Sequence, residues 1–272
     1  DPKAVKMMHA MVLLAGAALA GRYELTSADV CYLSMPLFHS AALLGGYCVA
    51  AVSGAAMVPA RFSASRFLDD VRRYGVTYMN YVGKPLAYIL ATPEQPDDAD
   101  NTLRAAFGNE ATDRDIDDFA RRFDCQVWDG FGSTELAIII TREPGTPRGS
   151  VGKGFPGVAV YNPATGTECP PAQFDDTGAL VNADDAIGEI VNTSGPGLFS
   201  GYYGDPAATA ERMRGGIYHT GDLGWVDDAG YIHFAGRLGE WMRVDGENLG
   251  TAPIERILMR FPGVTEAAVY PI

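Results

Sequence analysis

Between residues 29 and 132 short apolar runs alternate with amphipathic ones, and that alternation leaves few folds open to the chain. "DVCYLSMP", "VTYMNYVG", "TLRAAFGN" and "CQVWDGF" read as strands. "SASRFLDDVRRYG", "KPLAYILATP" and "DRDIDDFARRF" read as helices, the last with Ile116, Phe119, Ala120 and Phe123 on one face. Strands separated by helices imply crossover connections, and crossovers imply parallel pairing. The predicted fold class is α/β, a largely parallel sheet layered with helices. Ahead of it, "MMHAMVLLAGAALAG" predicts an apolar helix closed by Gly21 as its cap.

The uncharged run from Ser40 to Ala60 is long enough to span a bilayer. Its Ala, Gly and Val content and the closing Pro59 fit a buried helix over 41–53 and a short buried strand near 55–58 better. After about residue 150 the texture changes. Gly and Pro become dense, and "GVAVYN", "GEIVNTS" and "WVDDAGYIHFAG" predict a small antiparallel, barrel-like β unit with Asx-type turns. From 236 a third texture begins, with a helix opened by Thr251 and a final strand in "VTEAAVYPI". The expected organisation is an α/β part over 1–150, a β-barrel-like part over 151–235, and a hinge with the start of a small α+β domain over 236–272. The abrupt ends, Asp1-Pro2 and an unpartnered strand, read as those of a piece of a longer protein.

With 272 residues, 47% hydrophobic and 20% charged, the composition is that of a globular protein with a substantial core. The net charge of −13 argues against a nucleic-acid partner, which needs a basic footprint, but not against a small anion met by local donors. Cys31, Cys48, Cys125 and Cys169 form no CxxC pair, so reduced thiols are expected and a zinc site is not. No signal-peptide pattern is visible, and a cytoplasmic location is expected, with peripheral membrane contact compatible with it.

Residues 128–137, "WDGFGSTELA", admit two readings. One is a tight strand-to-helix turn with a Ser/Thr cap. The other is a phosphate cradle whose hydroxyls and amides face an anion, with Glu135 on its metal. Four further stretches bear on the choice: "MPLFHS" (35–40), "FGNEA" (107–111), "YHTGDLG" (218–224) and "GRLGEWMRVDGEN" (236–248). Each is ordinary alone, since Asp222 suits a turn, Arg237 a surface ion pair and His39 an interior position.

In this order the five resemble the signature of the acyl-adenylate-forming superfamily, with "GFGSTE", "TGDL" and "GRLGE" as its core motifs. "RGSVGKGFPG" is similar to the family's linker before its β-barrel, and the opening "DPKAVKMMHA" to the tail of its phosphate loop. "GRLGEWMRVDGENLGTAPIE" with "FGNEA" most closely resembles the fatty-acid-transport and very-long-chain acyl-CoA synthetase branch.

The resemblance implies an ATP-dependent fatty acid–CoA ligase. ATP/AMP, Mg2+ and coenzyme A would be its small-molecule partners, beside the fatty acid. Gly108, Asn109 and Glu110 would line the adenine edge, and the Phe131 ring its face. Asp129, Gly130, Gly132 and Ser133 would approach the nucleotide, Thr134 would donate to the α-phosphate, and Glu135 would bind magnesium. Asp222 would accept the ribose hydroxyls beside Arg237. His39 would orient the reacting carbonyl, and an apolar acyl path would pass Gly45, Gly46, Tyr81, Val82 and Gly83. Gly239 would be the hinge and Gly246 would face the pantetheine arm. Two alternatives stay open: transfer of the acyl group to a carrier protein, and an incomplete nucleotide- or acyl-binding module. The Ser/Thr/Gly part of the family's phosphate loop and its C-terminal lysine match no residue of this chain.

Overall fold

The structure is a computed structural model that describes residues 3–238, 241–244, 247–259, 261, 263, 264 and 267–270. Two compact units form, one over Ala4–Leu136 and one from Ala137 onward that also takes in Lys3.

The first unit is the predicted α/β part. In chain order it contains α1 (His9–Arg22), β1 (Val30–Leu33), α2 (Ser40–Ala42), a π-helical turn (Leu43–Tyr47), α3 (Cys48–Ser53) and β2 (Ala56–Pro59). There follow α4 (Phe67–Tyr74), β3 (Tyr78–Val82), α5 (Pro85–Leu90), β4 (Ala105–Asn109), α6 (Asp113–Phe123) and β5 (Gln126–Gly132). All five strands are parallel, in the order β2-β1-β3-β4-β5. Alternate strand residues therefore serve opposite faces.

On one face Tyr32, Met79, Tyr81 and Ala106 meet Phe67 and Val71 of α4, Leu86 and Ile89 of α5, and Phe119 and Phe123 of α6. The Phe119 and Phe123 rings lie 4.6 Å apart, and burial of each contributes about 1.5–3 kcal/mol. On the other face Cys31, Leu33, Tyr78 and Ala105 pack with Ala20 of α1 and Val49 and Ala50 of α3. The two helices cross so closely that a Cβ on Gly16 would stand 2.6 Å from the Cys48 carbonyl oxygen.

Three local expectations change. α1 runs past Gly21 to Arg22, and the left-handed residue that redirects the chain is Glu24, at φ 52°. The predicted helix over 41–53 forms, but with a π turn at "LLGGY" in the middle. The strand near 55–58 forms as β2, but at the sheet edge with side chains largely exposed, because only β1 flanks it within this unit.

The second unit is antiparallel. It begins with β6 (Ile139–Thr141) paired with β7 (Lys153–Gly154), and continues with β8 (Val158–Tyr161), α7 (Ala183–Ala186), β9 (Gly188–Asn192), α8 (Pro206–Arg212) and β10 (Met213–Arg214). β11 (Ile217–Val226) and β12 (Ile232–Arg237) form a hairpin whose turn is held by Asp227, which accepts the Ala229 and Tyr231 amides. The sheet order is β10-β11-β9-β8, with β12 also on β11. This unit starts earlier than the change of texture at 150, because Ala137 and Val151 are tied into it: Asn192 donates to the Ala137 carbonyl and the Val151 amide to that of Ile232. β13 (Trp241–Val244), β14 (Glu247–Gly250) and α9 (Thr251–Leu258) follow. Among the described residues 267–270 the expected final strand does not form.

All four cysteines are free, and burial, aided by the charge of Asp29, pushes the Cys31 thiol up to about 12. Among the described residues no helix is long and apolar enough to cross a membrane.

Candidate functional site

Parallel sheets bind ligands beyond the carboxyl ends of their strands, where the loops open. The carboxyl ends of β3, β4 and β5 lie side by side, with Tyr81 opposite Gly108, Gly108 opposite Asp129, and Asn109 opposite Gly130. The residues expected at the adenine and phosphate of a nucleotide thus share one edge of the first unit. Asn109 braces it, donating from Nδ2 to the Gly130 carbonyl at 2.6 Å.

The three glycines of this edge have different causes. A Cβ on Gly108 would stand 2.3 Å from the Tyr81 carbonyl oxygen and 2.4 Å from its ring, so packing alone demands glycine there. On Gly130 it would make an ordinary 3.5 Å contact with the Phe107 ring. On Gly132 it would meet nothing within 4 Å. No neighbour explains Gly132, and the room beside its backbone suits the approach of a ligand.

Beyond Gly132 the chain turns through Ser133–Leu136, with the Leu136 amide on the Ser133 carbonyl and Leu136 itself left-handed at φ 50°. Ser133 is exposed, and Phe131, Thr134 and Glu135 are half-buried. The Thr134 and Ser40 hydroxyl oxygens lie 2.8 Å apart. That bond brings the turn to the residue next to His39, so residues 94 positions apart in sequence meet. His39 caps the short helix after it, accepting the Ala41 amide on Nδ1 at 3.2 Å, which leaves Nε2 as the donor of the exposed ring. Asp129 is turned into the protein, where one carboxylate oxygen accepts the Tyr81 hydroxyl and the Ala111 amide, each at 3.1 Å. Glu110 is exposed at φ 68°.

The sheet separates the five residues expected along an acyl path. Gly45 and Gly46 lie over one face: a Cβ on Gly46 would stand 2.8 Å from the Asn80 Oδ1, and one on Gly45 would be 3.6 Å from the Phe107 ring. Tyr81 points into the opposite face, fully buried. Val82 and Gly83 sit at the carboxyl end of β3, where the Gly83 amide donates to the Asn109 carbonyl.

Sequence reasoning missed Ser40, Tyr78 and Asn80 as supports of this region. The Tyr78 hydroxyl donates to the Gly45 carbonyl at 2.7 Å and Asn80 Nδ2 to that of Ala41 at 3.1 Å, fixing the π turn and the loop that carries His39. A polar residue inside the apolar run "VTYMNYVG" was the available signal for Asn80.

The second unit holds the other expected carboxylate. Asp222 and Arg237 are directly opposite in the β11–β12 ladder, and Arg237 Nε stands 3.5 Å from Asp222 Oδ1. The pairing of β11 with β9 breaks between His219 and Leu223, so the turn bearing Asp222 bulges from the sheet. The Thr220 hydroxyl donates to the Ile190 carbonyl at 2.7 Å and accepts the Asp222 amide at 2.9 Å. Gly221 is left-handed at φ 76°, and the Arg212 guanidinium donates to the Thr220 carbonyl.

Among the described residues no group of three or more His, Cys, Asp or Glu side chains is placed to hold a metal ion. One protein carboxylate, such as that of Glu135, suits magnesium, which keeps most of its shell as water and phosphate oxygens. Gly239 and Gly246, expected at the hinge and the pantetheine arm, lie outside the described residues.

A family model described as "AMP-binding enzyme" matches residues 1–203. Over 273 residues the chain is 60% identical to the medium/long-chain-fatty-acid–CoA ligase FadD17 of Mycobacterium tuberculosis, covering 100% of this chain and 52% of that protein. It is 45% identical over 272 residues to a steroid-22-oyl-CoA synthetase of Rhodococcus jostii, covering 99% and 49%. Among solved structures, the O-succinylbenzoate coenzyme A synthetase of Bacillus subtilis in complex with ATP and magnesium ion is similar with a TM-score of 0.78 at 25% identity, covering 99% of this chain and 54% of that one. The chain spans about half the length of the curated relatives it matches.

Proposed function

The chain belongs to the AMP-binding enzyme family, and from that membership we propose that the full-length protein is an ATP-dependent fatty acid–CoA ligase working through an acyl-adenylate. In the first step a carboxylate oxygen of the acid attacks the α-phosphorus of ATP. An acyl–oxygen–phosphorus bond forms and the bond to pyrophosphate breaks. In the second the sulfur of coenzyme A attacks the acyl carbon, the thiol gives up its proton, and AMP leaves with the electrons of the broken carbon–oxygen bond. The names of the relatives, a fatty acid–CoA ligase and a steroid-22-oyl-CoA synthetase, support this class of reaction.

The observation that carries the proposal is the edge of the first unit. Gly132 stands open without a packing reason, and Thr134 and Glu135 follow it in a turn anchored to Ser40. The first step brings two anions together, so its barrier falls most where donors are already aimed at the phosphate oxygens. Thr134 supplies a hydroxyl oriented by Ser40, and the backbone at Gly132 an amide that a phosphate can approach. Glu135 holds magnesium, which supplies positive charge to the phosphates when bound. Phe131 offers a ring face to adenine, with Gly108, Asn109 and Glu110 along its edge. Asp222 accepts the two ribose hydroxyls, a match of two carboxylate oxygens to a cis-diol, beside the charge of Arg237. His39, with Nε2 as donor, orients the reacting carbonyl. Gly45, Gly46, Val82 and Gly83 border the acyl group, while Tyr81, on the opposite face of the sheet, fixes Asp129.

A second reading of the substrate, a steroid carboxylate, is favoured by the 45% identity with the Rhodococcus protein. Incubating full-length protein with ATP, magnesium, coenzyme A and a series of acids, and following the thioesters by mass spectrometry, tests both. Fatty acyl-CoA formed in preference to the steroid product supports the proposal. Steroid thioester alone transfers it to the second reading, and no thioester with any acid refutes both.

A further inference from the structure

Glu189 is a carboxylate that the proposed chemistry does not use, yet it is almost wholly buried, with 2% of its side chain exposed. It sits on β9 next to Gly188, where a Cβ would stand 2.4 Å from the Tyr161 carbonyl oxygen, so β9 lies tight against β8 at this point. Three donors converge on the carboxylate. Oε1 accepts the Gly221 amide at 2.8 Å. Oε2 is 2.7 Å from His219 Nδ1 and accepts Arg214 Nη2 at 3.2 Å. A buried anion is costly unless it is paired and fully hydrogen-bonded, and here the Arg214 cation and two further donors meet that requirement.

The position of these donors gives the carboxylate its meaning. The β9–β11 ladder breaks between His219 and Leu223, so the strand cannot supply the Gly221 amide with its ordinary carbonyl partner. Glu189 Oε1 takes that place, holding Gly221 in its left-handed conformation one residue before Asp222. The other Glu189 oxygen holds His219, the first residue of the same bulge. The bulge is thereby fixed to β9 from within, and Asp222 is presented from it with about a fifth of its side chain exposed.

We propose that Glu189 is a positioning residue for nucleotide recognition: through Gly221 it sets the direction of the Asp222 carboxylate, so that a bound nucleotide is discriminated by its ribose cis-diol. The inference rests on the reading of Asp222 as the ribose acceptor. A neutral amide at position 189 has a single acceptor oxygen, which serves either Gly221 or the Arg214–His219 side but not both. The turn then loses its fixed geometry while Asp222 itself remains.

Full-length protein, its Glu189→Gln and Glu189→Asp variants and an Asp222→Ala reference are titrated by calorimetry with AMP and with 2′,3′-dideoxy-AMP. The wild type is expected to prefer AMP by about tenfold or more, the equivalent of one good charge-assisted bond. In Glu189→Gln the preference falls below about threefold because AMP affinity drops while the affinity for 2′,3′-dideoxy-AMP, which offers Asp222 no hydroxyl, stays, the pattern that Asp222→Ala also gives. Glu189→Asp keeps the charge paired with Arg214 but withdraws it from Gly221, and the same loss of preference follows, so the inference stays testable if the Gln variant does not fold. Equal weakening of both nucleotides, or an unchanged preference in a folded variant, overturns the positioning role. A wild type without any preference overturns the ribose reading of Asp222 itself, and with it this inference.

Discussion

The turn after β5 and the bulge in β11 each present a carboxylate, and they are built on opposite terms. Around Glu135 the glycines leave room: a side chain on Gly132 would meet no protein atom, Ser133 is exposed, and the Thr134 hydroxyl reaches across to Ser40. Around Asp222 the chain is fastened by Glu189, Thr220 and Arg212. The difference matches the chemistry proposed for each. Phosphate oxygens change charge and neighbours during the reaction and need donors with access, whereas a ribose offers a constant pair of hydroxyls and needs a fixed acceptor.

The contrast can be broken most sharply at Glu135. Glu135→Ala is expected to lower acid-dependent, magnesium-dependent pyrophosphate exchange by about a hundredfold or more while the melting temperature stays near that of the wild type. Unimpaired exchange removes Glu135 from the reaction. Asp222→Ala is the next largest effect, a loss of about 10- to 100-fold in AMP affinity by calorimetry, because hydrogen bonds to a charged group are lost. An unchanged Kd assigns Asp222 to the turn alone.

The glycines sharpen the comparison without touching a charge. Alanine at 221 is forced into the left-handed region and against Arg212, so Gly221→Ala is expected to cost about 1–2 kcal/mol and lower Tm. Gly132→Ala meets no neighbour and should leave Tm unchanged while weakening ATP binding. Thermal unfolding with and without nucleotide separates the two, and the reverse pattern would mean that the first turn is the constrained one. The smallest effect is expected at Ser40: its removal frees the Thr134 hydroxyl and slows adenylation by about three- to tenfold with AMP affinity retained, as stopped-flow kinetics would show.

What the sequence made legible follows the same division. The α/β class was readable because strands and helices have different hydrophobic periods, and the motif carboxylates stood out as candidates because glycine and hydroxyl residues cluster beside them. The residues that hold the motifs in place were not readable, since a bond between partners far apart in sequence leaves no local pattern. Ser40 supports Thr134, and Glu189 supports Gly221 from another strand. Arg122 shows the same blindness in the core. It falls on the charged side of a clearly amphipathic helix, yet it is buried on Asp98 at 2.6 Å and donates to the Thr92 and Pro93 carbonyls. The single acyl path expected past Gly45 and Tyr81 joined residues that β3 and β4 place on opposite faces, a consequence of the two-residue period that only the observed register reveals. Gly21 failed as a helix cap because Glu24, not a glycine, takes the left-handed turn.

The central claim is that these turns serve the activation of a carboxylate by ATP. Carboxylate-dependent exchange of labelled pyrophosphate into ATP by the full-length protein, with acids of increasing chain length, tests it most directly. The account predicts label in ATP only when acid and magnesium are both present, with a rate that depends on the acid; absence of exchange with every acid, or exchange indifferent to acid, contradicts it.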